Sequence, residues 1–535
     1  MKPLTDRDRT QPAAAPAVEA EATARRMPVR ARRGPPTPVA ALFSDSAIVF
    51  GGMVVRVGLL MGFELLAARQ LGPADYGLFS LAFTVITLAG SLPALGLQNS
   101  LRRFISYHCE RGEPGPVRGL VAFGLIWPTA CGIVLGGSLF ALSTPLAAAW
   151  FGKPELAPLL RALALVVPLA GVRKLATVIF SGFKRPSLKV LVEDVTEPVL
   201  RVAGAVGVAA AGWGVLPLAH ASTLAYVAVG VLSLALVRSA LRTAAPAGAS
   251  ETRLPWRGLI GFSSPLVVSD LVELLLAWIS VLLLGALSTE HDVGLFRSAS
   301  QPPMLAGAIL TSFAFVYLPV ATELFVRGDR DGWKRINNAV AHWTLSLSFP
   351  IAAVCLCYPA EVIGILFGPG YVAGAAAMRW LAAGYLFRAA CGLTGLNLVA
   401  AGLTRLHMAL TLCGFAVVVA ASVLWIPAHG AAGAAAAYAA SVSCRALLNV
   451  VATRVTLGLS PFQSRWVGLV GAHLASVAAV VALVGLLGVP VVAAPFVLGV
   501  LELPVALGLA MALGLLGRAD LDAVAVLRRG RTDGR

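Results

Sequence analysis

The chain is 535 residues long, 58% hydrophobic and only 13% charged, with a mean hydropathy of +0.83. That leaves too little polar surface to coat a soluble globule of this length, so the fold must dissolve in lipid. The net charge of +16 invites a nucleic-acid reading, which the placement of the cations along the chain excludes.

Residues 1–40 are rich in Ala, Pro and Arg, lack an apolar period, and read as a disordered cytoplasmic tail. Its basic end, Arg25 to Arg33, abuts the first apolar run, which is span-length and begins too far in for a cleavable signal peptide. A transmembrane helix needs about 20 mostly apolar residues, and about fourteen such windows follow. They run from Ala47 to Ala68, Leu78 to Leu97, Leu120 to Leu142, Leu159 to Phe180, Val190 to Ala211, Leu216 to Val237 and Leu259 to Leu287. The rest run from Pro303 to Ala321, Val340 to Tyr358, Ala377 to Ala401, Met408 to Ile426, Ala432 to Val451, Val467 to Leu487 and Ala494 to Leu516. Because these are long continuous runs and not short alternating ones, they predict an all-α polytopic membrane protein and no barrel.

Arg and Lys gather after the even-numbered windows: Arg102, Arg103, Arg111 and Arg118; Lys184, Arg185 and Lys189; Arg238 and Arg242; Arg327, Arg330, Lys334 and Arg335; Arg405; Arg454; and Arg518 onward. The odd-numbered loops hold few cations, chiefly Arg69, Lys153 and Arg297. This bias predicts cytoplasmic termini and even loops in a cytoplasmic membrane, and it accounts for the net charge without nucleic acid.

The chain also repeats itself. Asp75-Tyr76-Gly77-Leu78-Phe79 in the first hinge returns as Asp292-Val293-Gly294-Leu295-Phe296 between the seventh and eighth windows. Phe151-Gly152 returns as Phe367-Gly368, Arg161 as Arg379, and Gly182 with Arg185 as Gly402 with Arg405, at an offset of roughly 217 residues. Six spans per copy is an even number, so the two copies share an orientation and relate by a pseudo-two-fold axis along the membrane normal. The predicted domains are an N-lobe at 41–240 (spans 1–6), a cytoplasmic linker at 241–256 and a C-lobe at 257–455 (spans 7–12). A C-terminal helix pair at 456–517 (spans 13–14) and a tail at 518–535 follow.

The segment from Ala68 to Ala82, with Gly72-Pro73-Ala74-Asp75-Tyr76-Gly77 at its centre, then Leu95-Gly96-Leu97 and Arg103-Phe104-Ile105, resembles the start of the polysaccharide-flippase family. That family belongs to the multidrug/oligosaccharidyl-lipid/polysaccharide exporter superfamily, and the likeness extends to about the twelfth span. The resemblance implies two six-helix lobes, an extra C-terminal helix pair, and a central cavity that carries a lipid-linked sugar between leaflets. One departure is visible: where members carry an Asp-Arg pair late in the seventh span, this chain has Ser280 and Val281. A coupling role for that Asp cannot be carried over.

Ionisable residues inside spans mark the chemistry, because each is costly in lipid and must face a partner or a wet cavity. Arg56 and Glu64 share a face of the first span, and Lys189, Glu193, Glu197 and Arg201, spaced by four, form a stripe down the fifth with Asp194 beside it. That stripe reads equally as cavity lining or as a salt-bridge ladder within one helix. Substrate-binding candidates are Arg56, Arg201, Arg388, Glu64, Glu193 and Glu197; Arg suits a diphosphate because its fork engages two oxygens and stays charged. Asp270 and Glu273 are candidates for a coupling ion, and Asp75, Gly77, Asp292 and Gly294 for the repeat hinges. Arg445, His220, His342 and His473 read as isolated packing residues. The seven cysteines show no zinc spacing and no phosphate loop is present, so neither metal, cofactor nor nucleotide is expected.

The resulting expectation is a flippase for an isoprenoid diphosphate-linked oligosaccharide, working by alternating access in cell-surface polysaccharide synthesis. Other polysaccharide-assembly membrane proteins are candidate partners. A cation-coupled multidrug exporter is the alternative. A glycan polymerase or glycosyltransferase is disfavoured because such enzymes need a sizeable outer loop and every outer loop here is short.

Overall fold

A computed structural model describes residues 38–244, 256–462 and 464–514. The basic segment 25–33, most of the expected linker 241–256 and the tail 518–535 lie outside the described residues. The chain divides into two compact units, 1–44 and 45–535; of the first, only the opening of a helix is described, and everything below lies in the second.

All regular structure among the described residues is helical. In chain order the main helices are α1 (Pro38–Ser91), α2 (Leu97–Glu110), α3 (Pro114–Ala141), α4 (Leu156–Leu163), α5 (Val166–Gly182), α6 (Glu197–Ala210), α7 (Val215–Ala244) and α8 (Trp256–Leu287). They continue as α9 (Glu290–Arg327), α10 (Arg330–Cys357), α11 (Pro359–Phe367), α12 (Ala375–Ala390), α13 (Thr394–Ala400), α14 (Thr404–Leu457), α15 (Ser464–Leu486) and α16 (Ala494–Ala512). Among the described residues nine helices are long and apolar enough to cross a membrane, or ten when a pair bent by 45° counts as one.

The gap between nine or ten helices and about fourteen apolar windows has identifiable local causes. Helix α1 runs through the first two windows and turns at Gly72 (φ 74°, ψ 172°), and α14 runs through the eleventh and twelfth and turns at Gly430 (φ 51°, ψ −125°). Both angles lie where side chains other than glycine's are strained, and Pro73 removes a donor beside the first. The fourth window falls on the bent pair α4 and α5. The tenth is interrupted between α12 and α13, and the fifth opens with a π turn, Val190–Thr196, before α6.

The largest buried cluster joins the two halves of the chain. Phe63, Tyr76, Phe79 and Leu81 from the first meet Val281, Val293, Phe296, Phe367 and Tyr371 from the second. Tyr76 and Tyr371 pack edge to face with ring centroids 6.1 Å apart. A separate cluster seats α15 and α16 against α10 and α12. At its centre His473 Nδ1 lies 2.8 Å from Glu502 Oε1 and Nε2 lies 3.1 Å from Ser346 Oγ, with the ring stacked on Phe349. His473 is therefore no isolated packing residue. It joins both C-terminal helices to α10.

Candidate translocation site

The turn before Gly77 ends one helix and starts the next, and the turn before Gly294 does the same between α8 and α9. These two turns cross in backbone contact. A Cβ on Gly77 would lie 1.8 Å from the Glu290 carbonyl oxygen, and one on Gly294 would lie 1.9 Å from that of Pro73. Gly77 and Gly294 stand 217 residues apart, as do Pro73 and Glu290. The contact is therefore reciprocal, so a pseudo-two-fold axis passes through it, and no residue larger than glycine fits at either position.

Around that crossing, side chains of each half hold helix ends of the other. Buried Lys153 donates to the carbonyls of Gly285 (2.6 Å) and Ser288 (2.7 Å) at the end of α8. Tyr371 Oη donates to the carbonyl of Ala68 (2.7 Å), which stands 217 residues before Gly285. Arg69 Nε donates to the carbonyl of Leu366 (2.7 Å), and its terminal nitrogen to that of Ile365. Arg297 reaches Glu64 at 3.0 Å, and the other oxygen of Glu64 accepts from Tyr76 Oη at 2.5 Å. Burial pulls the Lys153 ammonium below the usual lysine range, against the attraction of Glu290. Arg69, Lys153 and Arg297 are the cations that break the positive-inside pattern, and all three bridge the halves at this end.

The two repeated aspartates serve different ends. Asp75 is exposed. Asp292 accepts from Thr289 Oγ1 at 3.1 Å and faces the Ala431 amide at 3.4 Å, where α14 restarts after Gly430.

The opposite end, nearer the basic loops, is also held. Asp270 accepts from the Gly96 amide (3.0 Å) at the start of α2, and the hydroxyls of Ser100 and Ser263 lie 2.6 Å apart. Asp270 thus sits at a junction between the halves, satisfying an amide that a helix start leaves open.

Between these ends, the first half gathers a charge cluster. Arg56 pairs with Glu193 at 2.7 Å and approaches Asp194 at 3.7 Å. Arg173, from α5, pairs with Glu197 at 3.0 Å, and Tyr226 Oη donates to the same carboxylate at 2.9 Å. The Arg201 guanidinium is sandwiched between Phe63 and Phe83, 4.1 and 4.5 Å from their centroids. The stripe is no salt-bridge ladder, because the π turn at Val190–Thr196 breaks its four-residue register and each carboxylate turns to a cation on another helix. Glu193, Asp194 and Glu197 thus lie among Arg56, Arg173 and Lys189, while Arg201 rests on the two aromatic rings. Arg173 went unread in the sequence, although a charge inside the fourth apolar window was a visible signal.

The second half is built otherwise. Glu273, 217 residues after Arg56, carries the opposite charge and pairs with Arg445 at 3.3 Å. Both line a polar cavity of about 210 Å³ together with Arg388, His407 and Asn449. Arg445, expected to be a packing residue, is a wall of this cavity. A separate apolar groove of about 510 Å³ lies between α12 and α14, lined by Trp380, Phe387, Trp425 and small residues such as Ala436.

A helical bundle of two pseudo-symmetric halves, with charge clusters at mid-span and contacts at both ends, defines the fold class of polytopic exporters. The sequence pattern of the family described as polysaccharide biosynthesis protein matches residues 43–325, more than half of the chain, and the chain belongs to that family. Among solved structures it is similar to the lipid II flippase MurJ in an inward-closed conformation, with a TM-score of 0.67 and 10% identity over 87% of this chain and 98% of that one. An inward-facing multidrug resistance MATE family transporter of the MOP superfamily gives 0.59 and 15% identity over 75% and 94%. A MOP superfamily transporter from Pyrococcus furiosus gives 0.54 and 16% over 78% and 95%. At these identities the likeness is one of fold. Among curated proteins, the uncharacterized membrane protein MJ1068 of Methanocaldococcus jannaschii is 25% identical over 135 residues, 24% of this chain and 26% of that one. The match spans about a quarter of that relative's length.

Proposed function

We propose that the chain translocates an isoprenoid diphosphate-linked oligosaccharide across the cytoplasmic membrane by alternating access. Membership of the polysaccharide biosynthesis family supports the substrate class, and the reciprocal crossing at Gly77 and Gly294 is the observation that carries the mode of action. A pseudo-two-fold contact can be made and broken by rocking one half against the other without unfolding either. The proposed path runs between lobes at 41–240 and 257–455, with 456–517 as an appended pair, about fourteen spans in all and both termini cytoplasmic. The crossing then lies at the outer face.

In this reading Arg56, Glu64, Glu193, Glu197 and Arg201 form the first lobe's wall, Arg388 meets the substrate, and Asp270 and Glu273 are groups whose partners change during the cycle. Other polysaccharide-assembly membrane proteins remain proposed partners. A cation-coupled drug exporter fits less well, since the second lobe's cavity holds two arginines to one carboxylate. Nothing in this reading requires a reaction at the sugar.

The test is Gly77→Ala and Gly294→Ala in proteoliposomes, scoring translocation of a fluorescent polyprenyl diphosphate oligosaccharide by quencher accessibility. Either methyl group would prevent outer closure, so both variants should insert normally and lose at least about tenfold in rate. Wild-type rates from both would remove the crossing from the mechanism.

A further inference from the structure

The cavity in the second half carries more cation than its surroundings balance. Arg388 and Arg445 both line it, and Glu273 is the only carboxylate among its lining residues. Arg445 spends one contact of 3.3 Å on Glu273, whose own side chain is 56% exposed. Arg388 makes no hydrogen bond or ion pair among the described residues, and like charges in one small cavity raise each other's energy. An uncompensated guanidinium at mid-span in a membrane protein is costly and calls for an anion.

The shape agrees with the charge. Helix α12 stops at Ala390 and α13 starts at Thr394, so the chain is unwound where Gly392 and Leu393 line the cavity. Interrupted helices at mid-membrane are a usual way to bring polar groups to a transported ligand. At about 210 Å³ the cavity is below the roughly 300–1,000 Å³ typical of sites that enclose a whole drug-sized ligand. It suits a compact oxyanion, not an oligosaccharide.

We infer that Arg388 and Arg445 form a phosphate-oxyanion site, with Arg388 as the free fork and Glu273 as the internal anion that the ligand displaces from Arg445. The inference rests on the flippase reading only for the ligand's source: a diphosphate headgroup under that reading, a free phosphate anion otherwise. Displacement of Glu273 would make anion entry and lobe rearrangement a single event, because Glu273 stands on α8, which contacts the first half through Asp270, one turn away, and through Gly285 near its C-terminal end.

The experiment is thermal unfolding of the full chain in detergent, titrated separately with inorganic diphosphate and with polyprenyl diphosphate. Binding to the folded state alone raises Tm with concentration. Arg388→Gln and Arg445→Gln should each weaken the apparent affinity at least about tenfold. Glu273→Gln should instead tighten it several-fold, which a merely structural residue would not do, and Arg379→Gln, outside the cavity, should leave it unchanged. Equal response to both anions assigns a free-anion site, and response to the lipid form alone assigns a headgroup site. No response to either, or a response untouched by both arginine substitutions, overturns the proposal. Because no step requires translocation, binding that persists in a protein unable to flip would separate this site from the flippase reading.

Discussion

Single cations placed against the prevailing pattern carry the closure. Lys153, Arg69 and Arg297 sit in odd-numbered loops that otherwise lack positive charge, and each donates across to the other half of the chain. Hydrogen bonds from charged donors contribute about 1.5–3 kcal/mol each, so one substitution should shift the closed-to-open ratio by roughly one to two orders of magnitude. Lys153→Met should therefore populate the form open at this end. Spin labels at Ala74 and His291, which are repeat equivalents on the two turns, should show a second, longer distance that the wild type lacks. An unchanged distribution would remove Lys153 from the closure. Each such charge was legible in the sequence because it stood out in an apolar or cation-poor stretch. Its partner was not, since Arg56 and Glu193 are 137 residues apart and Arg297 and Glu64 are 233 apart.

Among the helices, apolar run length gave their existence and little of their continuity. A window of 20 apolar residues reads the same whether its helix is straight, broken at α12 and α13, or opened by a π turn at Val190–Thr196, because those breaks answer to neighbours on other helices. The C-terminal pair shows the same limit: α15 and α16 were visible as spans, but not the pairing that docks them. Glu502 and His473 are fully buried, so Glu502→Leu alone should leave His473 Nδ1 without its carboxylate partner and destabilise the protein by about 3 kcal/mol. The double variant Glu502→Leu with His473→Leu should recover most of the loss, since two apolar groups then replace a buried polar pair in which Glu502 Oε2 already lacks a partner. Melting in detergent would decide it; equal losses in the single and double variants would show that the pair does not act as a unit.

For the whole molecule, the alternation of basic loops predicts the orientation that the proposed transport direction requires. Arg111→Cys, beside the end of α2, should react with an impermeant maleimide only after cells are permeabilised. Gly214→Cys, where an added side chain meets open space, should react in intact cells, both in a background free of native cysteine. The reverse pattern would invert the path.

The crossing at Gly77 and Gly294 also limits how the closed end can come apart. Because Gly77 rests on Glu290 while Gly294 rests on Pro73, the same rotation lifts both contacts, and neither can open while the other stays shut. A seal with one moving joint could leave a slit at half-travel through which protons leak. A seal of two matched joints on one axis would let go at once, and under the proposed cycle would guard the membrane potential while a bulky cargo waits inside.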